Sequence, residues 1–185
     1  MSYHKIIEYK ILPTDTFKII RGCAGCGCKQ TFSCKEHFRV NANGNRLDVW
    51  LIYGCDKCGH TYNLPVYERI NPAKISEQEY HKYLSNDKQK VLEIGTNKAI
   101  FIKNKAEIAW DLSVYEVVPC LESAFDIGKD GILIMLHNPY DLPVRADKVV
   151  ADIFQISRSE TKRLLCNGQV SVSIVRNGRT DILVG

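Results

Sequence analysis

Two Cys-x-x-Cys-Gly segments, Cys23-Ala24-Gly25-Cys26-Gly27 and Cys55-Asp56-Lys57-Cys58-Gly59, constrain this chain more than anything else in it. A two-residue gap lets the backbone curl so that both sulfurs of a pair point inward. Two such pairs supply the four thiolates of a closed tetrahedral zinc site, with bonds of about 2.3 Å. The glycine after each pair tolerates the positive φ that such a knuckle requires. Twenty-eight residues separate Cys26 from Cys55, enough for one or two hairpins to bring the pairs together. The expected ligands are therefore Cys23, Cys26, Cys55 and Cys58, and the expected ion is a structural Zn2+. A saturated zinc has no open position for substrate, so this signal speaks of metal and not of activity.

Other donors compete on paper. Cys34-Lys35-Glu36-His37 has metal-compatible spacing, Cys28 follows the first pair, and His60 lies beside Cys58. Iron–sulfur ligation remains open for a four-cysteine set. A redox dithiol is the weaker alternative, since no βαβ pattern surrounds either pair. Cys120 and Cys166 read as small buried apolar residues. Pro119-Cys120 is reminiscent of zinc deaminases, but those need Pro-Cys-x-x-Cys and His-x-Glu. Position 123 is Ser123 and no His-x-Glu occurs, so that chemistry is excluded.

The chain's 185 residues are 45% hydrophobic and 25% charged, values ordinary for a globular protein. Residues Met1 to Lys10 have no apolar core of signal-peptide length. The longest apolar runs, Val49 to Tyr53 and Ile132 to Leu136, are too short to span a bilayer. A cytoplasmic location without membrane contact is expected, where thiols stay reduced or metal-bound. The net charge of +4 falls to about +2 once four thiolates hold a divalent ion. The basic excess sits at the two ends, which permits nucleic-acid binding without demanding it.

An α+β fold in three parts is expected. A zinc-ribbon-like β domain covers residues 1–70. Within it His37 to Ala42 and Arg46 to Tyr53 are strand-like and flank Asn43-Gly44-Asn45, a hairpin signal. A mainly helical linker domain covers 71–130. Ser76 caps a helix reaching Asp87, with Glu79 completing a capping box. Helical periodicity continues through Val91–Ile94 and Ala99–Trp110, and Tyr115 to Val118 is a short strand. A small α/β module covers 131–185: strand Ile132 to Leu136, helix Ala146 to Phe154, helix Ser157 to Asn167 with Glu160 and Gly168 as its box and C-terminal glycine, then strand Gln169 to Val175.

The second of these helices has a basic face. Arg158, Ser159, Lys162 and Arg163 share one arc at 100° per residue, with Thr161, Leu164 and Leu165 opposite. Arg145 precedes the first helix and is placed to join the same surface. Free N–H groups at the helix start favour an anion there. A solvated face with an apolar underside is the plainer reading of the same charges.

The order Arg145-Ala146-Asp147, Ser157-Arg158-Ser159 through Leu164-Leu165-Cys166-Asn167-Gly168, then Val170-Ser171-Val172, resembles the small RNA-binding module of ribosomal protein S-four. That module also occurs in pseudouridine synthases and bacterial tyrosyl-tRNA synthetases. The resemblance implies two helices on a small sheet, with RNA contacts from Arg145, Ser157, Arg158, Ser159, Lys162 and Arg163. The family's R-L-D start carries Ala146 in place of leucine here, and Ser173 stands where its V-x-V-N-G finish has asparagine. A broader resemblance rests on Phe38 to Asn43, Leu47 to Tyr53, Cys55-x-x-Cys58 and Thr61-Tyr62-Asn63. These strings are similar to a bacterial family of unknown function, domain-of-unknown-function family one-zero-six-two.

No phosphate loop, dinucleotide glycine motif or G-x-S-x-G occurs. His4, His81 and His137 have no evident acid–base partner in sequence, and Asp126 with Asp130, and Glu77 with Glu79, read as solvated surface carboxylates. Arg39 and Arg46 flank the hairpin near Trp50, Tyr53 and Tyr62. Such a set can stack bases, although a small β unit also needs those aromatics as core. The leading expectation is a non-enzymatic zinc-containing protein that binds structured ribosomal or transfer RNA. The alternatives are a protein–protein adapter without nucleic acid and a modification enzyme with a site between the units.

Overall fold

The computed structural model describes residues 5–121, 131–176 and 179–183. The fold is mixed α+β, with two five-stranded sheets and five α-helices among the described residues. The chain divides into two compact units, residues 15–114 and residues 1–14 with 115–185.

The unit of residues 15–114 is built on an antiparallel sheet. Its strands are β2 (Ile19–Cys23), β3 (Cys28–Asn43), β4 (Arg46–Cys55), β5 (Thr61–Ile70) and the short β6 (Glu107–Ile108), in the order β5-β4-β3-β2-β6. The expected hairpin joins β3 to β4. Asn43 pairs with Arg46, and Gly44 opens the two-residue turn at φ +57°, a conformation glycine adopts without steric cost. Leu47, Val49, Leu51 and Tyr53 alternate onto one face of β4 and are fully buried. Burying each aliphatic side chain contributes about 2 kcal/mol. Between Cys34 and Phe38 the β3–β4 register shifts, with Glu36 at φ +56°. The Phe38 N–H there finds Asn86 Oδ1 at 2.7 Å.

Three helices cover this sheet: α1 (Glu77–Leu84), α2 (Lys88–Gly95) and α3 (Lys98–Lys103). Each begins at a side-chain cap, Ser76, Asp87 and Asn97 in turn. Ser76 Oγ accepts the Glu79 N–H as expected. The helix ends three residues before Asp87, because Asp87 serves as the cap of α2. Helical structure also stops at Lys103 instead of reaching Trp110. Lys105 takes φ +51°, and Glu107–Ile108 pair with β2. Gly95 closes α2 where the chain packs against Thr16, and a Cβ there would come within 2.4 Å of Thr16 Cγ2.

The other unit carries the strands β1 (Lys5–Pro13), β7 (Tyr115–Pro119), β8 (Ile132–His137), β9 (Val170–Arg176) and β10 (Arg179–Leu183), in the order β10-β9-β8-β1-β7. β8 runs parallel to both β1 and β9. The β8–β9 crossover contains α4 (Ala146–Phe154) and α5 (Arg158–Cys166), both where the sequence places them. Ile7, Tyr9, Ile11, Ile134, Leu136, Val172 and Ile174 form its buried sheet face, and Val149, Val150 and Leu164 are the buried side of the two helices. Before α4, fully buried Asn138 donates from Nδ2 to the Leu142 carbonyl and accepts the Leu142 N–H at Oδ1.

The three-part division expected from sequence differs from this arrangement. Residues 71–114 belong to one unit with the β segment, since α1 and α2 lie on β3. Residues 5–13 leave the expected N-terminal β domain and become a strand between β8 and β7. Long-range packing decides both points, helix on sheet for the first and strand pairing for the second, and neither leaves a local trace in sequence. His4 and the carboxylates Asp126 and Asp130 lie outside the described residues. No helix among the described residues is long and apolar enough to cross a membrane.

Candidate metal centre

The two Cys-x-x-Cys segments form neighbouring knuckles at one end of the antiparallel sheet. The first links β2 to β3, the second β4 to β5. In the first, the N–H groups of Cys26 and Gly27 both donate to the Cys23 carbonyl, and Gly27 takes φ +68°. In the second, the Gly59 N–H donates to the Cys55 carbonyl at 2.9 Å and Gly59 takes φ +75°. Cys55 also donates its N–H to the His60 carbonyl, and Asp56 to that of Thr31 on β3. The β3–β4 hairpin delivers the second knuckle to the first, as the sequence implies: Phe32 pairs with both Ile19 and Cys55.

The result is a four-sulfur cluster. Cys23 Sγ lies 3.4 Å from Cys58 Sγ, and Cys26 Sγ lies 3.9 Å from Cys55 Sγ. All four sulfurs lie within 4.8 Å of one another. Tetrahedral bonds of about 2.3 Å put sulfurs about 3.8 Å apart, so the observed separations fit a shared ion. The arrangement is compatible with a metal site. Cys23 and Cys55 are buried, while Cys58 is exposed.

Cys26 and Cys55 are shifted in opposite directions. The hydrogen bond with Cys58 and then burial push Cys26 up to about 12. Burial raises Cys55 too, but the backbone N–H groups of Cys58 and Lys57 bring it down to about 7. These N–H groups favour a thiolate, the form in which sulfur ligates metal. Around the knuckles, the Arg21 guanidinium sits 3.4 Å above the Tyr62 ring, and Lys18 pairs with Asp56 at 3.8 Å.

The competing donors lie outside the cluster. Cys28 Sγ accepts from Gln30 Nε2, Cys34 Sγ accepts the Glu36 N–H, and His37 Nδ1 meets the Lys35 carbonyl. His60 is exposed and contributes its backbone carbonyl. Tyr53 is fully buried with its hydroxyl on the Phe17 carbonyl, so it is core and not a stacking platform.

The six residues of the basic surface are all exposed. Ser157 caps α5 by accepting the Glu160 N–H, and its Oγ also lies 3.0 Å from Ser159 Oγ. Arg145 is held by a fork of bonds to both Asp147 oxygens. Arg163 grips Glu160 in the same way, so Glu160 completes no capping box. Among the described residues, Arg158 and Lys162 are the members of the basic set without a paired carboxylate.

Two cysteine expectations change. Cys120 and Cys166 are exposed, not buried. His137 has an acid–base partner that sequence reasoning missed: Glu8, 2.9 Å away, on a strand far from it in the chain. Only the β1–β8 pairing reveals it.

Residues 40–175 match the profile of a family described as protein of unknown function, DUF1062. The chain belongs to the DUF1062 family. The match begins within β3 and ends within β9, so it takes in the second knuckle, all five helices and the crossover. No curated protein and no solved structure matches the chain.

Proposed function

We propose that this DUF1062 chain is a non-enzymatic RNA-binding protein whose four-cysteine cluster holds a structural zinc ion. Four thiolates saturate a tetrahedral ion and leave it no substrate position, which supports a structural role. The observation that carries the RNA reading is the pair Arg158 and Lys162. They are exposed one turn apart in the first half of α5, and neither forms a salt bridge among the described residues, although Arg158 lies near enough to Asp147 to help hold its carboxyl down. The helix dipole adds to their attraction for phosphate. The α4–α5 pair lies between parallel strands in the order that resembles the S-four module, and structured ribosomal or transfer RNA is the class of target that resemblance implies.

The test is binding of bulk cellular RNA across a salt titration, with wild type and the Arg158→Glu, Lys162→Glu double variant. Phosphate-led binding weakens steeply with salt, because each neutralised phosphate releases counterions. The double variant is expected to lose binding while keeping its metal content and its circular dichroism. Unchanged binding in the double variant would remove the proposed surface. Wild-type protein that binds no RNA at low salt would shift the reading to a protein–protein adapter.

A further inference from the structure

A second group of metal-ligating side chains comes together in the unit of residues 1–14 and 115–185. Glu8 on β1, His137 on β8 and Cys120 just beyond β7 each offer one donor atom, and the three atoms lie within 4.8 Å of one another. Glu8 Oε2 and His137 Nε2 are 2.9 Å apart. The three residues come from separate parts of the sequence and meet only because three strands are adjacent. β1 lies between β8 and β7, with Lys10 opposite His137 and Tyr9 opposite Pro119. The Cys120 N–H extends the ladder by donating to the Glu8 carbonyl at 2.9 Å. Paired backbone therefore holds the three residues side by side.

We infer that Glu8, Cys120 and His137 form a second metal site, an open three-ligand site for a zinc-class divalent ion. The donors decide the class. An imidazole nitrogen, a thiolate and a carboxylate suit zinc and cobalt, whereas magnesium and calcium take oxygen alone. Tetrahedral bonds of about 2.0–2.3 Å need a nitrogen–oxygen separation of about 3.3 Å. The Glu8–His137 contact reaches that by a few tenths of an ångström of opening as the ion replaces the bridging proton. Glu8 and His137 are 49% and 35% exposed, so solvent reaches the site directly. Three protein ligands leave a fourth position for water or an added ligand. That distinguishes this site from the closed four-cysteine cluster.

The experiment is a zinc stoichiometry on the full chain, stripped of metal and dialysed against zinc, then repeated with cobalt to read ligand-field spectra. Wild type is expected to saturate at two ions per chain. His137→Ala and Cys120→Ser are each expected to lose one ion and keep the four-sulfur cobalt spectrum. Glu8→Gln is expected to weaken the second ion about tenfold. Lys10→Ala, on the same strand, is expected to keep both. In Cys58→Ser the ion at Glu8, Cys120 and His137 is expected to remain, so this site is read separately from the first. Circular dichroism and thermal unfolding of each variant establish that it is folded, and Cys120→Ala, which removes the sulfur without adding a donor, is a second variant expected to lose the same ion. A wild-type chain that takes no ion beyond the four-cysteine cluster overturns the inference. So does a second ion whose affinity is unchanged in both His137→Ala and Cys120→Ser.

Discussion

Cys23 and Cys58 are 35 residues apart in the chain, yet their sulfurs lie 3.4 Å from each other. Two thiols at that distance need a shared proton or a shared cation, and four such thiols favour a cation. Replacing Cys23 with Ser is expected to abolish stoichiometric metal at the cluster and lower the unfolding midpoint on the order of 10 °C. Cys28→Ser, whose sulfur faces Gln30, is expected to change neither. Native mass spectrometry and thermal unfolding read both. Zinc-free protein from zinc-replete cells would count against a structural ion.

Gly25 presses on the cluster from within the first knuckle. A Cβ at this position would lie 3.1 Å from Cys58 Sγ, closer than ordinary van der Waals contact. Gly25→Ala is expected to weaken metal binding roughly tenfold, since ligand geometry sets affinity. At Gly22 a Cβ meets nothing within 4 Å, so Gly22→Ala is the matched control with unchanged affinity. Competition with a chromophoric chelator compares the two.

Glu79 is the hub of a partly buried network linking β5, α1 and α2. Its Oε1 accepts from Tyr83 at 2.9 Å and Tyr67 at 3.2 Å, and Lys90 Nζ lies 3.3 Å away. Burial raises the Glu79 pKa, but the bonds from Tyr83 and Lys90 outweigh it and hold the carboxyl below its ordinary value. A carboxylate depressed on folding stabilises the fold above its unfolded pKa of about 4.3 and loses that contribution as pH falls through the folded value. Glu79→Gln is therefore expected to be less stable than wild type at pH 7, with the gap closing below about pH 4. Urea unfolding at both pH values tests the sign; a gap that widens in acid would contradict it. Tyr83→Phe is expected to cost about 1.5–3 kcal/mol at pH 7, the range for hydrogen bonds to charged groups.

Asn138 fixes the chain that leads into α4. It is fully buried and exchanges two hydrogen bonds with the Leu142 backbone, at 2.8 and 2.9 Å. Asn138→Ala leaves a buried N–H and carbonyl unpaired and is expected to cost about 2–4 kcal/mol in urea unfolding. Asn138→Asp keeps one acceptor, loses the donor and is expected to be destabilised as well. A neutral Asn138→Ala would show that the turn holds without its side chain.

Several features were legible because their causes are local. Ser76 and Ser157 cap helices through their own side chains, Gly44 turns the hairpin, and the short gap in each Cys-x-x-Cys pair sets its knuckle. The role of Glu79 was legible only in part: the sequence reads its carboxylate as solvated, whereas the side chain is 26% exposed and hydrogen-bonded. Its N–H meets Ser76 as the box pattern implies, while its carboxylate turns to Tyr83, Tyr67 and Lys90, partners that only packing supplies. Arg163 likewise belongs to the basic face by helical spacing, but Glu160 one turn earlier takes up its charge.

The sequence by itself determined the α4–α5 pair, the β3–β4 hairpin and the four cysteines suited to share an ion. Each of these follows from spacing over a few residues, or from one hairpin joining two motifs. Tertiary structure decided the rest. It moved residues 5–13 to a place between β8 and β7, joined residues 71–114 to the cysteine-bearing sheet, and brought Glu8, Cys120 and His137 together. Parallel pairing such as β1 with β8 joins segments more than a hundred residues apart, and its free energy comes from burying Ile7, Ile134 and Leu136 on a common face. Many strands in this chain carry an equivalent apolar pattern, so pattern alone does not choose which neighbour buries it.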